Sequence, residues 1–137
     1  MWLLFAILAA VFASATAILI KVGVRDVDSN LATAIRTSVV LLLTWGIVWG
    51  SGVFSQIKMV PKQAWLFLVL SGVATGLSWL CYFKAVKLGE LSKVAAIDKL
   101  SVALTILFAI FFLGETADMK TILGASVILV GVGILVF

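Results

Sequence analysis

Asp98, Ser101 and Thr105 stand three and four residues apart. On a helix that spacing puts a carboxylate and two hydroxyls on one face, and the residues around them are apolar. Such a stripe can line a path for a polar solute, an ion or a proton; the plainer alternative is that Ser and Thr bond to their own helix backbone. Lys99 follows Asp98 directly and points about 100° away around the helix. It is expected to pair with a carboxylate from another helix or to reach the helix end. Arg36 is a second cation inside an apolar run. Its stem either carries the charge to the nearer end of the helix or holds it in a wet cavity. Ser78 and Tyr82 share a face four residues apart, and Trp79 and Phe83 share the neighbouring one. A wall of rings suits an apolar or cationic solute, and it suits equally an aromatic belt at a helix end. Glu90 and Glu115 lie beside charged or turn-forming residues, where solvated capping, structural charge or gating are the available roles.

The elements that must position these residues are set by composition. The sequence is 64% hydrophobic and only 12% charged, with a mean hydropathy of +1.31. Soluble domains run about 45–50% apolar and about 25% charged. Exposing the surplus to water would cost roughly 25 cal/mol per Å², a cost that hydrocarbon removes. The chain therefore reads as an integral membrane protein. With no His and one Cys, Cys81, neither an intrachain disulfide nor a Cys–His nucleophile pair is available, and no metal site or other cofactor is expected. The segment from Gly46 to Gly52 lacks the phosphate-loop pattern, and no paired carboxylates are placed for hydrolysis. The +4 charge is scattered at the ends of apolar runs, so nucleic acid is not an expected partner. An enzyme is not indicated. Coupling to a proton or another ion remains open through Asp98 or an edge Glu.

Crossing a hydrocarbon core about 30 Å thick takes roughly 17–25 helical residues. Charge-free runs predict five spans, at about 2–20, 31–49, 63–85, 94–113 and 121–137. Helices are expected because backbone groups cannot stay unpaired in lipid, and the runs lack the alternation of a barrel strand. The run 2–20 has no basic leader segment and is read as a span, not a signal peptide. Pro61 fits the start of the third helix. The fourth span reaches full length only if 94–99 belongs to it. Asp98 and Lys99 then lie about one turn inside; in the alternative, the span is short and its charges sit among headgroups. Ala9, Ala13 and Ala17, Gly72 with Gly76, and Gly124 with Gly131 and Gly133 form small-residue faces. These allow close helix packing within one bundle or along a subunit seam.

Five spans put the two ends of the chain on opposite sides. Lys58, Lys62 and Lys120 flank spans on one side, and Lys21, Arg25, Lys84, Lys87 and Lys93 on the other, three against five. The positive-inside rule then places the N-terminus outside by a margin of two charges. So small a bias is compatible with one fixed topology or with insertion both ways, which would allow an antiparallel homodimer.

The segment Ala95-Ala96-Ile97-Asp98-Lys99-Leu100-Ser101, with Phe111-Phe112-Leu113-Gly114-Glu115 after it, resembles the end of an EamA domain, the repeat unit of the drug/metabolite transporter superfamily. Tyr82-Phe83-Lys84-Ala85-Val86-Lys87-Leu88-Gly89-Glu90 resembles that family's link into its fourth helix. The likeness covers essentially the whole chain as a single domain, 1–137. It implies one half of a ten-helix, inverted-repeat transporter, with a cavity lined by the first four helices and the fifth aiding dimerisation. It also implies pairing with an inverted copy. Many members carry a proline near the position held here by Ala96; with Ala there, the sequence leaves a kink at that point open. The function implied is secondary transport of a small metabolite or drug-like solute by alternating access, as an antiparallel homodimer in a prokaryotic inner membrane. The alternative is a non-transporting scaffold or regulatory subunit. The family's solutes are diverse, and no substrate-reading residue carries over.

Overall fold

The computed structural model describes residues 1–137. It is all helical: α1 (Trp2–Gly23), α2 (Ser29–Gly50), a short 3₁₀ helix (Val53–Met59), α3 (Lys62–Leu88), α4 (Leu91–Asp98), α5 (Leu100–Leu113) and α6 (Met119–Val136). Five segments are long and apolar enough to cross a bilayer: α1, α2, α3, the pair α4 and α5 taken together as Leu91–Leu113, and α6. The helices run further at several ends than the charge-free runs do. Lys21, Lys62, Lys84 and Lys87 are helical, because a long basic side chain can lie along an apolar surface while its head reaches water.

Local chemistry sets the boundaries. Asp28 caps α2, its carboxylate accepting the backbone N–H of Asn30 at 2.9 Å and of Leu31 at 3.2 Å. That satisfies two of the amides that a helix start leaves unpaired. Pro61 stands immediately before α3, where its missing N–H costs nothing. Gly114 ends α5 at φ +66°, a left-handed conformation that favours glycine. Asp118 caps α6, accepting from the Thr121 N–H at 2.9 Å and the Thr121 hydroxyl at 2.6 Å. Those bonds hold the Asp118 carboxyl below the usual carboxylate range, the hydroxyl contributing most.

The chain divides into two compact bodies, Leu19–Lys87 and a second made of Met1–Ile18 with Leu88–Phe137. In the first, Ile20, Val24, Ser29, Thr33, Phe83 and Val86 are buried. Lys21 Nζ donates to the Val86 carbonyl at 2.7 Å, and Lys87 Nζ donates to the Val27 carbonyl at 2.6 Å. The end of α3 is thereby fastened to the turn between α1 and α2. The 3₁₀ helix packs on α2, with the Phe54 ring edge-on to Trp45 at 6.0 Å and to Trp49 at 6.1 Å. In the second body α6 packs against both α4 and α5, and Ala96 and Val132 are its buried residues.

The helix of the fourth span is broken although no proline is present. Lys99 interrupts it, with Lys99 N–H bonded to Ala96 O at 3.0 Å and Val102 N–H to Lys99 O at 3.1 Å. Both bonds span three residues, the tighter 3₁₀ pattern. The Asp98 carbonyl, which a continuous α-helix would offer to Val102, accepts the Ser101 hydroxyl at 2.6 Å instead. A local side-chain bond thus competes with the backbone ladder and supplies a break without proline. The glycine faces are open within the single chain. A Cβ added at Gly72, Gly76, Gly124, Gly131 or Gly133 would meet nothing within 4 Å.

Candidate functional site

The body 19–87 brings Arg36, Trp79 and Phe83 together. Arg36 lies seven residues into α2, about 10 Å along the axis from Ser29. Its guanidinium carbon sits 4.3 Å from the centroid of the Trp79 ring and 5.7 Å from that of Phe83. Phe83 is buried, Trp79 and Tyr82 are half-buried, and Ser78 is exposed. Arg36 thus joins α2 to the aromatic wall of α3. The contact of Arg36 with the aromatic wall is a third arrangement, beyond the two the sequence suggested. A cation over a ring face is stabilised by about 0.5–2 kcal/mol, more as water is excluded.

α2 also carries hydroxyls near Arg36 that sequence reasoning passed over. Thr33 and Thr37 lie three residues before and one after Arg36, and each donates to the carbonyl one turn back, at 2.8 and 2.7 Å. Their hydrogens are used within the helix, leaving only acceptor lone pairs. The signal was legible as the spacing of Ser29, Thr33, Thr37 and Thr44 along one stripe. Lys21 and Lys87 were likewise read as flanking charges, not as fasteners; nothing local in the sequence marks their carbonyl partners, which lie 65 and 60 residues away.

The body that includes 88–137 carries the second constellation, Asp98, Lys99, Ser101 and Thr105, all exposed on the surface of the single chain. Lys99 Nζ lies 3.3 Å from Asp98 Oδ2. The adjacent residues pair with each other, because the long lysine stem can fold back across the break. Ser101 is bound to the Asp98 carbonyl, as the backbone-bonding alternative foresaw. Glu90 stands at the first cap of α4 but makes no side-chain cap bond. It pairs with Lys93 at 3.6 Å, and both are exposed, so the pair is worth little. Glu115 follows the left-handed Gly114, and its backbone N–H closes on Ala109 O at 3.2 Å.

Five lipid-length helices, a broken one among them, define a multi-pass membrane protein. The model of the EamA-like transporter family matches residues 1–137, and the chain belongs to that family. A protein of Sinorhizobium sp described as an uncharacterized transporter in the cobO 3′ region is 45% identical over 130 residues, 95% of this chain and 92% of its own length. No solved structure matches the chain. Family and relative point to a membrane transporter rather than an enzyme.

Proposed function

We propose that the chain is a secondary transporter of a small metabolite or drug-like solute, working by alternating access as an antiparallel homodimer in a prokaryotic inner membrane. The observation that carries this reading is the exposure of Asp98, Lys99, Ser101 and Thr105 within the span Leu91–Leu113. Asp98 lies about 10 Å from the start of that span. Charges at such a depth are costly in hydrocarbon and are found facing protein or water. A single chain leaves these uncovered, and a second copy would cover them. The open glycine faces on α3 and α6 offer surfaces where such a copy could approach closely. The near balance of flanking basic residues agrees with insertion in both directions. An inverted pair can exchange inward-open and outward-open states around one site, and the break at Lys99 supplies a joint in the fourth span.

The test is cysteine accessibility in intact cells, with Cys81 replaced by Ser and one new cysteine placed at either end of the chain. Labelling of each end from both sides of the membrane is expected. Labelling of each end from one side only would remove the antiparallel homodimer. Flux into proteoliposomes that disappears when Asp98 is replaced by Asn is the companion expectation. A stable complex with another membrane protein, without self-association or flux, would favour a scaffold.

A further inference from the structure

Resting on the transporter reading above, we propose that the transported solute carries an anionic group, a carboxylate or a phosphate, and that Arg36 seated on Trp79 is its binding residue. The first ground is that Arg36 has no counter-charge. The acidic residues are Asp26, Asp28, Glu90, Asp98, Glu115 and Asp118. The ion pairs formed are Lys93 with Glu90 and Lys99 with Asp98, and the Asp28 carboxylate is turned to the amides of its own helix. Arg36 contacts two ring faces and donates no hydrogen bond within the chain. A guanidinium has five N–H donors in a planar fork. A ring face attracts the positive charge but does not replace the oxygen acceptors that the fork requires.

The second ground is that the side chain is not reaching for the nearer interface. The bond from Lys87 to Val27 places the end of α3 beside the start of α2. Phe83 is therefore the ring nearer that end, and Trp79, four residues earlier, lies about 6 Å deeper. A snorkelling arginine would move toward Phe83 and beyond. The guanidinium is instead closer to the deeper ring, 4.3 Å against 5.7 Å.

The third ground concerns sign. The aromatic wall that could have received a cationic solute already carries the protein's own cation, so a second cation there meets like charge. A carboxylate or phosphate matches the fork with two parallel charge-assisted bonds, the pairing in which Arg is strongest. The neighbouring Thr33 and Thr37 have spent their hydrogens on carbonyls, so the donors left at this level of α2 are those of Arg36.

The test uses the full chain in nanodiscs of phosphatidylcholine, with succinate and inorganic phosphate as anionic probes and tetraethylammonium as the cationic one. Binding is read by thermal stabilisation and by tryptophan fluorescence. The expected result is saturable binding of at least one anion and none of the cation. Arg36→Gln should weaken it by about tenfold or more, and Arg36→Lys, which keeps the charge without the fork, by less. Binding of the cation alone by the unaltered chain overturns the proposal without recourse to any variant. So does anion binding unchanged in a folded Arg36→Gln. A parallel arm adds phosphatidylglycerol: Arg36-dependent stabilisation by that lipid, with no response to either soluble anion, assigns the site to a headgroup and overturns the solute assignment. Loss of self-association in Arg36→Gln, again without soluble-anion binding, assigns the counter-charge to the second copy and also overturns it. Failure of the transport reading looks different: anions bind through Arg36, yet proteoliposomes show no flux of them.

Discussion

Lys21 and Lys87 fasten the same end of α3, and their removal should have unequal effects. Val86 lies in the last turn of α3, whose final four carbonyls have no amide partner within the helix. Val86 is also fully buried, at 0% exposure, so its carbonyl depends on Lys21 Nζ at 2.7 Å. A hydrogen bond from a charged donor contributes about 1.5–3 kcal/mol, and leaving a buried carbonyl unpaired costs a similar amount. A cation at a helix C-terminus adds about 0.3–1 kcal/mol. Lys21→Met, which keeps the length of the stem, is expected to destabilise by about 2–3 kcal/mol. Lys87 is exposed and its partner is a turn carbonyl, so water competes, and Lys87→Met should cost about 1 kcal/mol or less. Lys84, exposed at the same helix end and without a bond in the structure, is the charge-matched control. Reversible unfolding in mixed detergent micelles, extrapolated linearly in denaturing detergent, measures all three. The reasoning is refuted if Lys21→Met costs no more than Lys84→Met, since the effect would then belong to net charge and not to the carbonyl.

Two other perturbations test local claims. Ser101→Ala removes the hydroxyl that occupies the Asp98 carbonyl. The backbone can then reclaim that carbonyl, so stability should change by about 1 kcal/mol or less, while amide exchange at residues 99–102 slows as the helix closes; unchanged exchange would mean the break has another cause. The start of α6 should be acid-sensitive. The Asp118 carboxyl is lowered in the folded chain from an ordinary value of 3.8 by bonds from Thr121. Its contribution is fully present above that value and is lost as pH falls through the lower folded one. Protection of the Thr121 amide should therefore fall below about pH 3.8 in the unaltered chain and stay flat in Asp118→Asn; parallel curves for the two would exclude the carboxyl as the cause.

The helical membrane class was legible because lipid leaves so few solutions for a backbone. Charge-free runs located the spans, and the helices continue past them where a lysine stem allows it, as at Lys21 and Lys87. The sequence left a break in the fourth span open, and did not place it at Lys99. Proline is the breaker that sequence reading looks for, whereas Ser101 acts through one side-chain bond whose geometry decides between back-bonding and continuity. The faces of Trp79 with Phe83 and of Asp98 with Ser101 followed from helical periodicity. That Arg36 sits on the first of these was not legible, because periodicity fixes neighbours along a helix and says nothing of which face meets it from another.

The charges held well inside the spans are Arg36, Asp98 and Lys99, two cations and one carboxylate. Asp98 is engaged by Lys99, so the positive charge left over is that of Arg36. An uncompensated cation in a region of low dielectric is costly, and rings offset only part of that cost. On the proposal above, an anionic solute would supply the missing partner on binding and would take it away on release. The bound state is then the one nearest to neutrality, and the empty state is the one in which Arg36 most favours an opening to water. A solute of that charge would thus bias the carrier toward the closed, loaded form through the same group that recognises it. Arg36→Gln should accordingly lose solute binding while making the empty chain easier to close. If the empty variant instead proved more open to a water-soluble thiol reagent at Cys81, which is exposed on α3, the link between the charge and the opening would fail.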